Sequence, residues 1–200
     1  MSKRKKLVIL ICGKSGCGKS TIAELIAKEF KLKCVHTSGL LRQLKEGKFK
    51  PEKTKMNIGF YESEEGKKLM EERLKSFELD RLLDEKLLEI VEKGNVVLDS
   101  WTMPWLSKSG IKIWLNVSDS IRAERIAKRD KISKEEALRR IKEKEKNTIK
   151  LYKELYGFEF GSNLQKVFDL IVDTDNKNIK EVFEEVKNFI KKKIEKSNKG

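Results

Sequence analysis

A glycine-rich segment near the start of the chain has the residue types and spacing of a phosphate-binding loop. Gly13, Gly18, Lys19 and Ser20 satisfy the pattern G-x-x-x-x-G-K-[ST]. Glycines let consecutive backbone N–H groups turn toward phosphate oxygens, and a following helix adds its unsatisfied N–H groups. We therefore expect ATP binding, with Lys19 at the β- and γ-phosphates and the Ser20 hydroxyl on Mg²⁺. The residues predicted to bind ATP are Gly13, Lys14, Ser15, Gly16, Cys17, Gly18, Lys19, Ser20 and Thr21.

A carboxylate, Asp99, directly follows the short apolar run 96–98. The run predicts a buried strand, and the ligands of parallel α/β sheets gather beyond the carboxyl ends of such strands. Asp99 is therefore predicted to hold the water shell of Mg²⁺ beside the phosphates or to orient an acceptor; a turn or helix-capping aspartate is the alternative. Trp101 and Trp105 follow, and they either pack in the interior or contact a nucleobase.

Three arginines, Arg122, Arg125 and Arg129, are spaced so that a helix projects them from one face. Planar guanidinium groups bind phosphoryl oxygens in a bidentate manner and stabilise the charge that phosphoryl transfer concentrates there. A solvated charged face is the alternative. Because lysine greatly outnumbers arginine in this chain, three arginines so close together favour a functional role.

The segment 37–42 has the residues for a second anion site. Arg42 would contact the phosphate of the acceptor, and Ser38 would cap the following helix at this site. His36, the only histidine, is expected to pack at the end of a strand, because phosphoryl transfer depends on positioning and charge rather than on a histidine base. Cys17 is either a reactive thiol at a helix N-terminus or simply a small residue in the loop.

Apolar runs and helical periodicities alternate along the chain. The predicted strands are 7–12, 33–36, 96–98, 111–115 and 168–172, and the predicted helices are 22–30, 39–48, 63–93, 119–156 and 179–190. This alternation predicts a parallel sheet covered by helices on both faces. The chain has 200 residues, with no internal repeat and no Pro/Gly-rich linker, and is predicted to form a single α/β domain over 1–200.

Charge and composition narrow the class of protein. The chain carries 46 basic and 32 acidic residues, a net charge of +14. This charge could attract nucleic acid, but lysines alternate with glutamates on the predicted helices, which favours a solvated Lys/Glu-rich surface. Three cysteines without paired spacing indicate neither disulfides nor a zinc site. No apolar run is long enough for a membrane span or signal peptide, so we expect a cytoplasmic protein without a membrane partner.

Several motifs together resemble the nucleoside monophosphate kinases, and more closely the archaeal-type cytidylate kinases. The resemblance is carried by GKSGCGKST, NVVLDSWTMPW, RAERIAKRD, KLYKELYGFEF and FDLIVDTD, which span nearly the whole chain. It implies a three-layer αβα P-loop NTPase fold with a five-stranded parallel sheet in the order 2-3-1-4-5. It also implies an acceptor-binding arm over 37–93 and a lid over 122–156.

The resemblance also implies an activity: a kinase that transfers the γ-phosphoryl group of ATP to a nucleoside monophosphate, CMP or dCMP first. We expect the chain to act as a monomer. It places Arg125 near the ATP base and Arg129 near the phosphates. The predicted catalytic residues are Lys19, Asp99, Arg125 and Arg129, and the predicted acceptor-binding residues are Ser38, Arg42, Arg73, Ser100, Trp101 and Arg122. The alternatives are a P-loop kinase acting on RNA or another phosphorylated acceptor, and an ATP-switched binding module.

The chain departs from the family pattern at two places. Archaeal-type cytidylate kinases typically carry Gly-Arg just after the third strand, where this chain has Ser100 and Trp101. In the predicted lid, Lys146 and Lys150 stand where arginines are usual. Both departures bear on the choice of CMP as the acceptor, and neither bears on ATP binding.

Overall fold

The computed structural model describes residues 6–51, 54 and 64–198. Its centre is a sheet of five strands, all paired in parallel, in the order β2-β3-β1-β4-β5. The strands are β1 (Val8–Gly13), β2 (Lys33–His36), β3 (Val96–Asp99), β4 (Ile111–Asn116) and β5 (Leu170–Asp173). The predicted strand order is confirmed, and β5 begins two residues later than predicted because Phe168 packs into an aromatic cluster instead.

Helices cover both faces of this sheet. In chain order they are α1 (Lys19–Phe30), α2 (Thr37–Lys45), α3 (Glu64–Lys75), α4 (Glu78–Lys93), α5 (Met103–Leu106), α6 (Asp119–Asp130), α7 (Lys134–Tyr156), α8 (Leu164–Val167) and α9 (Ile179–Asn198). The three-layer αβα prediction is therefore confirmed. None of the helices in the described part of the chain is long and apolar enough to cross a membrane.

Strand β1 is buried along its whole length because its two faces pack into different cores. Ile9 and Ile11 join the core formed with α1 and α9, while Val8 and Leu10 join the core formed with α2, α3 and α4. A continuous apolar run is what a strand covered on both faces requires. The loop that follows β1 is thus attached to the central strand of the sheet, which is buried on both faces.

Two predicted helices are each divided in the structure. The run 119–156 breaks into α6 and α7 because Lys131 adopts a left-handed conformation with φ of 56°. Ser133 then caps α7, its Oγ accepting a hydrogen bond from Glu136 N at 3.1 Å. The two helices form a hairpin with a small apolar core of Ala123, Ile126, Ala137 and Ile141. The run 63–93 likewise breaks between α3 and α4.

The predicted arm over 37–93 includes α2, α3 and α4, and the predicted lid over 122–156 covers most of the α6–α7 hairpin. Residues 52–53 and 55–63 of the arm, and residue 63 of its predicted second helix, lie outside the described residues. The division of the chain into arm and lid stays a prediction.

Candidate active site

The glycine-rich loop connects the buried strand β1 to the N-terminus of α1, which begins at Lys19. Gly13 has φ of 152°, and a Cβ there would lie 2.6 Å from the Leu115 carbonyl oxygen. Gly16 has φ of 82°, and a Cβ there would lie 3.2 Å from both the Cβ and the carbonyl oxygen of Arg122. Side chains at these two positions would strain the backbone or collide with neighbours, so the loop's curvature depends on glycine. Its N–H groups and the positive end of α1 are groups that could bind an anion.

Ser20 and Asp99 meet beside this loop. The Ser20 hydroxyl donates a short hydrogen bond to Asp99 Oδ2, which is buried at the end of β3. Burial acts to raise the pKa of Asp99, but the hydrogen bond from His36 and the charge of Lys19 outweigh it, so the pKa lies below its usual range. An ionised carboxylate beside a hydroxyl provides the hard oxygen ligands that Mg²⁺ prefers.

His36 is buried at the end of β2, in register with Asp99. Its Nδ1 lies 3.2 Å from Asp99 Oδ2, and its Nε2 lies 3.3 Å from Glu24 Oε1. Burial acts to lower the pKa of His36, but the hydrogen bond to Asp99 dominates the opposing effects and raises the pKa to about 10. The predicted packing of His36 at a strand end is confirmed, and the structure adds that it is a charged partner of Asp99.

The three arginines of α6 have different surroundings. Arg122 is fully buried: it pairs with Glu145 of α7 and Asp119, and its Nη1 donates to the Ser15 carbonyl at 3.3 Å. Its guanidinium thus contacts groups of the protein, and through the Ser15 carbonyl it holds the backbone of the loop. The structure does not bring Arg122 to the cavity described below.

Arg125 and Arg129 do line that cavity. Arg125 donates to the carbonyl oxygens of Gly16 at 3.4 Å and Thr174 at 2.9 Å, so it ties the loop to the segment after β5. Arg129 makes a bidentate pair with Asp130, with both N···O distances 2.6 Å. Arg125 is held by backbone oxygens, whereas the partner of Arg129 is an anion that a phosphate could replace.

A cavity of about 380 Å³ opens beside the loop. Of the residues predicted from the sequence, it is lined by Ser15, Gly16, Gly18, Lys19, Ser20, Thr21, Ser38, Arg73, Asp99, Trp101, Arg125 and Arg129. Outside the lining are Gly13, Lys14, Cys17, Arg42, Ser100 and Arg122. Thr37, from the segment predicted as a second anion site, also lines the cavity. The polar lining residues that sequence reasoning missed are Asp80, Asp84, Thr102, Lys144, Thr148 and Tyr152.

Two predicted acceptor residues lie away from this cavity. The Arg42 side chain is 54% exposed, and its Nε lies 3.4 Å from Glu46 Oε1. Ser100 is buried, and its Oγ accepts hydrogen bonds from the backbone N–H groups of Thr102 and Met103, both at 3.3 Å. Ser100 therefore shapes the turn after β3.

A buried polar cluster lines the cavity from α3 and α4. The guanidinium of Arg73 pairs with Asp80, with Nη2 2.6 Å from Oδ1 and Nε 3.0 Å from Oδ2. Asp84, one turn along α4, accepts hydrogen bonds from Thr102 Oγ1 at 2.6 Å and from the Tyr156 hydroxyl at 2.7 Å. A sequence signal was present, since both aspartates recur at helical spacing on the buried side of α4.

The sequence did not decide whether Trp101 and Trp105 pack in the interior or contact a nucleobase, and the structure gives them different positions. Trp101 lines the cavity, stacks on Phe160 at 4.6 Å, and lies under the ammonium groups of Lys19 at 5.6 Å and Lys144 at 5.4 Å. Trp105 stacks on Phe158 at 4.9 Å inside the aromatic cluster and does not line the cavity. Trp105 is therefore a packing residue, and Trp101 faces the cavity.

Cys17 is buried within the loop, and burial raises the pKa of its thiol. Its sulfur packs where a Cβ on Gly13 would collide, at 2.7 Å. The structure supports the interpretation of Cys17 as a small packing residue rather than as a reactive thiol.

Comparison with known proteins gives one consistent result. Residues 8–176 match the model of the "Cytidylate kinase-like family". The chain is 35% identical to a cytidylate kinase from Pyrococcus horikoshii, over 92% of this chain and 88% of that protein. It is 32% identical to a cytidylate kinase from Methanocaldococcus jannaschii, over 92% and 97%. Among solved structures, a shikimate kinase from Bacteroides thetaiotaomicron shares the fold, with a TM-score of 0.57 at 16% identity, over 94% of this chain and 99% of that chain.

Proposed function

The chain belongs to the cytidylate kinase-like family, and on this premise we propose that it transfers the γ-phosphoryl group of ATP to CMP or dCMP. The observation that carries the proposal is a single cavity lined by both the phosphate loop and the polar cluster of α3 and α4. A donor site and an acceptor site that share one cavity can bring two nucleotides together. Such positioning supplies much of the rate enhancement in phosphoryl transfer.

The donor side consists of the loop, α1 and Lys19. The backbone N–H groups of the loop would bind the phosphates, and Lys19, at the first position of α1, would contact the β- and γ-phosphates. Trp101 lies under the Lys19 ammonium group at 5.6 Å, which limits the positions that this side chain adopts. The preorganised charge of Lys19 would stabilise the negative charge of the transition state.

Ser20 and Asp99 fit the requirements of Mg²⁺. Their oxygens are in direct contact, and Mg²⁺ in kinases is commonly bound by one or two protein oxygens together with substrate phosphates and water. The described residues contain no group of three or more His, Cys, Asp or Glu side chains that could hold a metal. When bound, Mg²⁺ would neutralise charge on the β- and γ-phosphate oxygens.

The α6–α7 hairpin would close the site. Arg125 would hold the hairpin to the loop, and Arg129 would exchange its carboxylate partner Asp130 for the transferring phosphoryl group. Closure would exclude water and so limit hydrolysis of ATP. Ser38 and Lys144 line the cavity and would bind the acceptor phosphate, whereas the charge of Arg73 is already compensated by Asp80.

The test is an assay of ADP formation with CMP, dCMP, UMP, AMP and GMP as acceptors. We expect CMP and dCMP to give the highest kcat/KM. No stimulation by any of the five nucleotides would refute the proposal. An RNA oligonucleotide in the same assay tests the alternative acceptor, and its binding should fall steeply with salt if the net positive charge drives it.

Arg129→Ala distinguishes a kinase from an ATP-switched binding module. We expect the variant to lose about 10²–10³-fold in kcat, because an electrostatic contact to the transition state is removed, while it keeps most of its ATP affinity. Arg139→Ala is a matched control, since Arg139 is an exposed arginine in the same hairpin, paired with Glu136. Equal kcat values for the two variants would refute the role of Arg129.

A further inference from the structure

The carboxylate of Asp84 is buried, yet it lines the cavity. Each of its oxygens accepts one hydrogen bond: Oδ1 from Thr102 Oγ1 at 2.6 Å and Oδ2 from the Tyr156 hydroxyl at 2.7 Å. A carboxylate has about four acceptor positions, so these two bonds leave further acceptor capacity. The hydroxyl groups of Thr102 and Tyr156 both donate to Asp84. The part of the cavity around Asp84 therefore presents hydrogen-bond acceptors to a ligand.

A site of this kind selects a ligand group that donates hydrogen bonds. The inference rests on the proposed function, because it concerns the base of the acceptor nucleotide. We infer that Asp84 reads position 4 of the acceptor's pyrimidine ring, accepting a hydrogen bond from an amino group when ionised and donating one to a carbonyl oxygen when protonated. The preference for an aminopyrimidine over an oxopyrimidine is then greatest at neutral pH and declines under acidic conditions.

The discrimination follows from the chemistry of the two bases. Cytosine and uracil differ at position 4, where one carries an amino donor and the other a carbonyl acceptor. A uracil carbonyl placed against an ionised carboxylate leaves both groups without a hydrogen bond and adds electrostatic repulsion. Sites built to hydrogen-bond one polar group reject its analogue far more strongly than apolar pockets do, because buried polar groups are left unpaired.

The protonation of Asp84 is set by its neighbours. Burial raises the pKa of Asp84 to about 6, although the hydrogen bonds from Thr102 and Tyr156 act in the opposite direction. Among charged groups, Asp80 on the same helix acts to raise the pKa, and Arg73 on α3 acts to lower it. From α2, Leu41 lines the same cavity and does not titrate. Asp84 is thus mostly ionised at neutral pH and mostly protonated below about pH 5.

The experiment compares kcat/KM for CMP and UMP in the wild type, in Asp84→Asn and in Glu85→Gln, between about pH 5 and 8. The ratio of the two acceptors cancels the ionisation of their phosphates, which is the same in both. An asparagine amide both donates and accepts, so Asp84→Asn should reduce the CMP/UMP ratio by about 10- to 100-fold at neutral pH and remove its pH dependence. Glu85 is exposed on the same helix, and Glu85→Gln should behave as the wild type.

Tyr156→Phe provides a second variant that keeps the carboxylate. It removes a hydrogen bond that lowers the pKa of Asp84, so the pH at which the CMP/UMP ratio declines should move upward. A merely structural role of Asp84 would not move this midpoint. This measurement tests the inference even if Asp84→Asn does not fold.

The outcomes distinguish a failure of the inference about Asp84 from a failure of the proposed kinase activity. A wild-type CMP/UMP ratio that stays constant across this pH range, or is the same in Asp84→Asn, would overturn the inference and leave the kinase intact. A change in the CMP/dCMP ratio without a change in the CMP/UMP ratio would also overturn it, since Asp84 would then contact the sugar. Absence of transfer to any nucleotide would refute the proposed function itself.

Discussion

The guanidinium of Arg122 on α6 is fully buried and pairs with the carboxylate of Glu145 on α7, and the same guanidinium donates a hydrogen bond to the Ser15 carbonyl. One side chain thus joins both helices of the hairpin to the phosphate loop. Because the loop and the hairpin belong to different parts of the proposed site, this contact would align bound donor phosphates with the arginines of α6. Arg122 acts on the loop through the backbone and is a positioning residue.

Arg122→Ala should therefore reduce stability rather than only catalysis. Removing one partner of a buried ion pair leaves the other charge uncompensated, and we expect a loss of about 3–5 kcal/mol in the free energy of unfolding. Urea denaturation measures the loss. Arg139→Ala, which removes an exposed arginine paired with Glu136 and Glu143, is the control and should change the stability little. Similar effects of the two substitutions would contradict the bracing role.

The contact between Ser20 and Asp99 predicts a metal requirement. Removing Mg²⁺ with EDTA is expected to stop phosphoryl transfer, and Asp99→Asn should lower the apparent Mg²⁺ affinity by about 10–100-fold. The measurement is the initial rate as a function of Mg²⁺ concentration. Glu143→Gln alters an exposed carboxylate of α7 and should titrate as the wild type does. An unchanged Mg²⁺ dependence in Asp99→Asn would exclude Asp99 from the site.

The buried carboxylate of Asp84 predicts a pH-dependent stability. Its pKa rises from 3.8 to about 6 on folding, so the folded state binds this proton more tightly. The resulting stabilisation is present in full below about pH 4 and is lost as the pH rises through about 6, by up to about 3 kcal/mol. Urea unfolding of the wild type and Asp84→Asn should show the variant gaining relative stability over this range, and Glu85→Gln should not. A constant difference between wild type and Asp84→Asn would contradict the shifted pKa.

The different positions of Trp101 and Trp105 predict different spectroscopic behaviour. Trp101 lines the cavity beside Lys19, so bound nucleotide should change its fluorescence, whereas Trp105 is enclosed by aromatic rings. Trp101→Phe is expected to remove most of the nucleotide-dependent signal, and Trp105→Phe is expected to retain it. Titration of each variant with ATP measures the signal. Retention of the full signal in Trp101→Phe would show that the ligand lies elsewhere.

Some breaks in secondary structure were readable from the sequence, although the predicted helix 119–156 ran through one of them. Ser133 and Glu136 have the spacing of a capping box, which marks a helix start. In the preceding turn Lys131 adopts a left-handed conformation. The turn contains no glycine or proline that would predict it. The division into α6 and α7 could therefore be predicted from the capping box but not from the turn, because a lysine has no intrinsic preference for the left-handed conformation.

The partners of charged residues were not readable from the sequence. Arg122, Arg125 and Arg129 have the same local spacing, yet one is buried against Glu145, one holds the loop backbone and one pairs with Asp130. Helical spacing predicts which face of the helix a side chain occupies, but it does not predict which residues of other elements pack against that face. His36 and Asp99 meet because β2 and β3 pair in register, which depends on the whole sheet.

The sequence by itself determined the phosphate loop, the parallel sheet and the strand-end position of Asp99, because loop glycines, continuous apolar runs and helix starts act over a few residues. Only the tertiary structure decided which charges face the cavity. Asp80 and Asp84 lie far along the chain from the loop, and their contacts with α3, α7 and the turn after β3 place them in the lining of the same cavity. Desolvation and long-range pairing depend on the assembled fold, and they determine the chemistry of this part of the cavity.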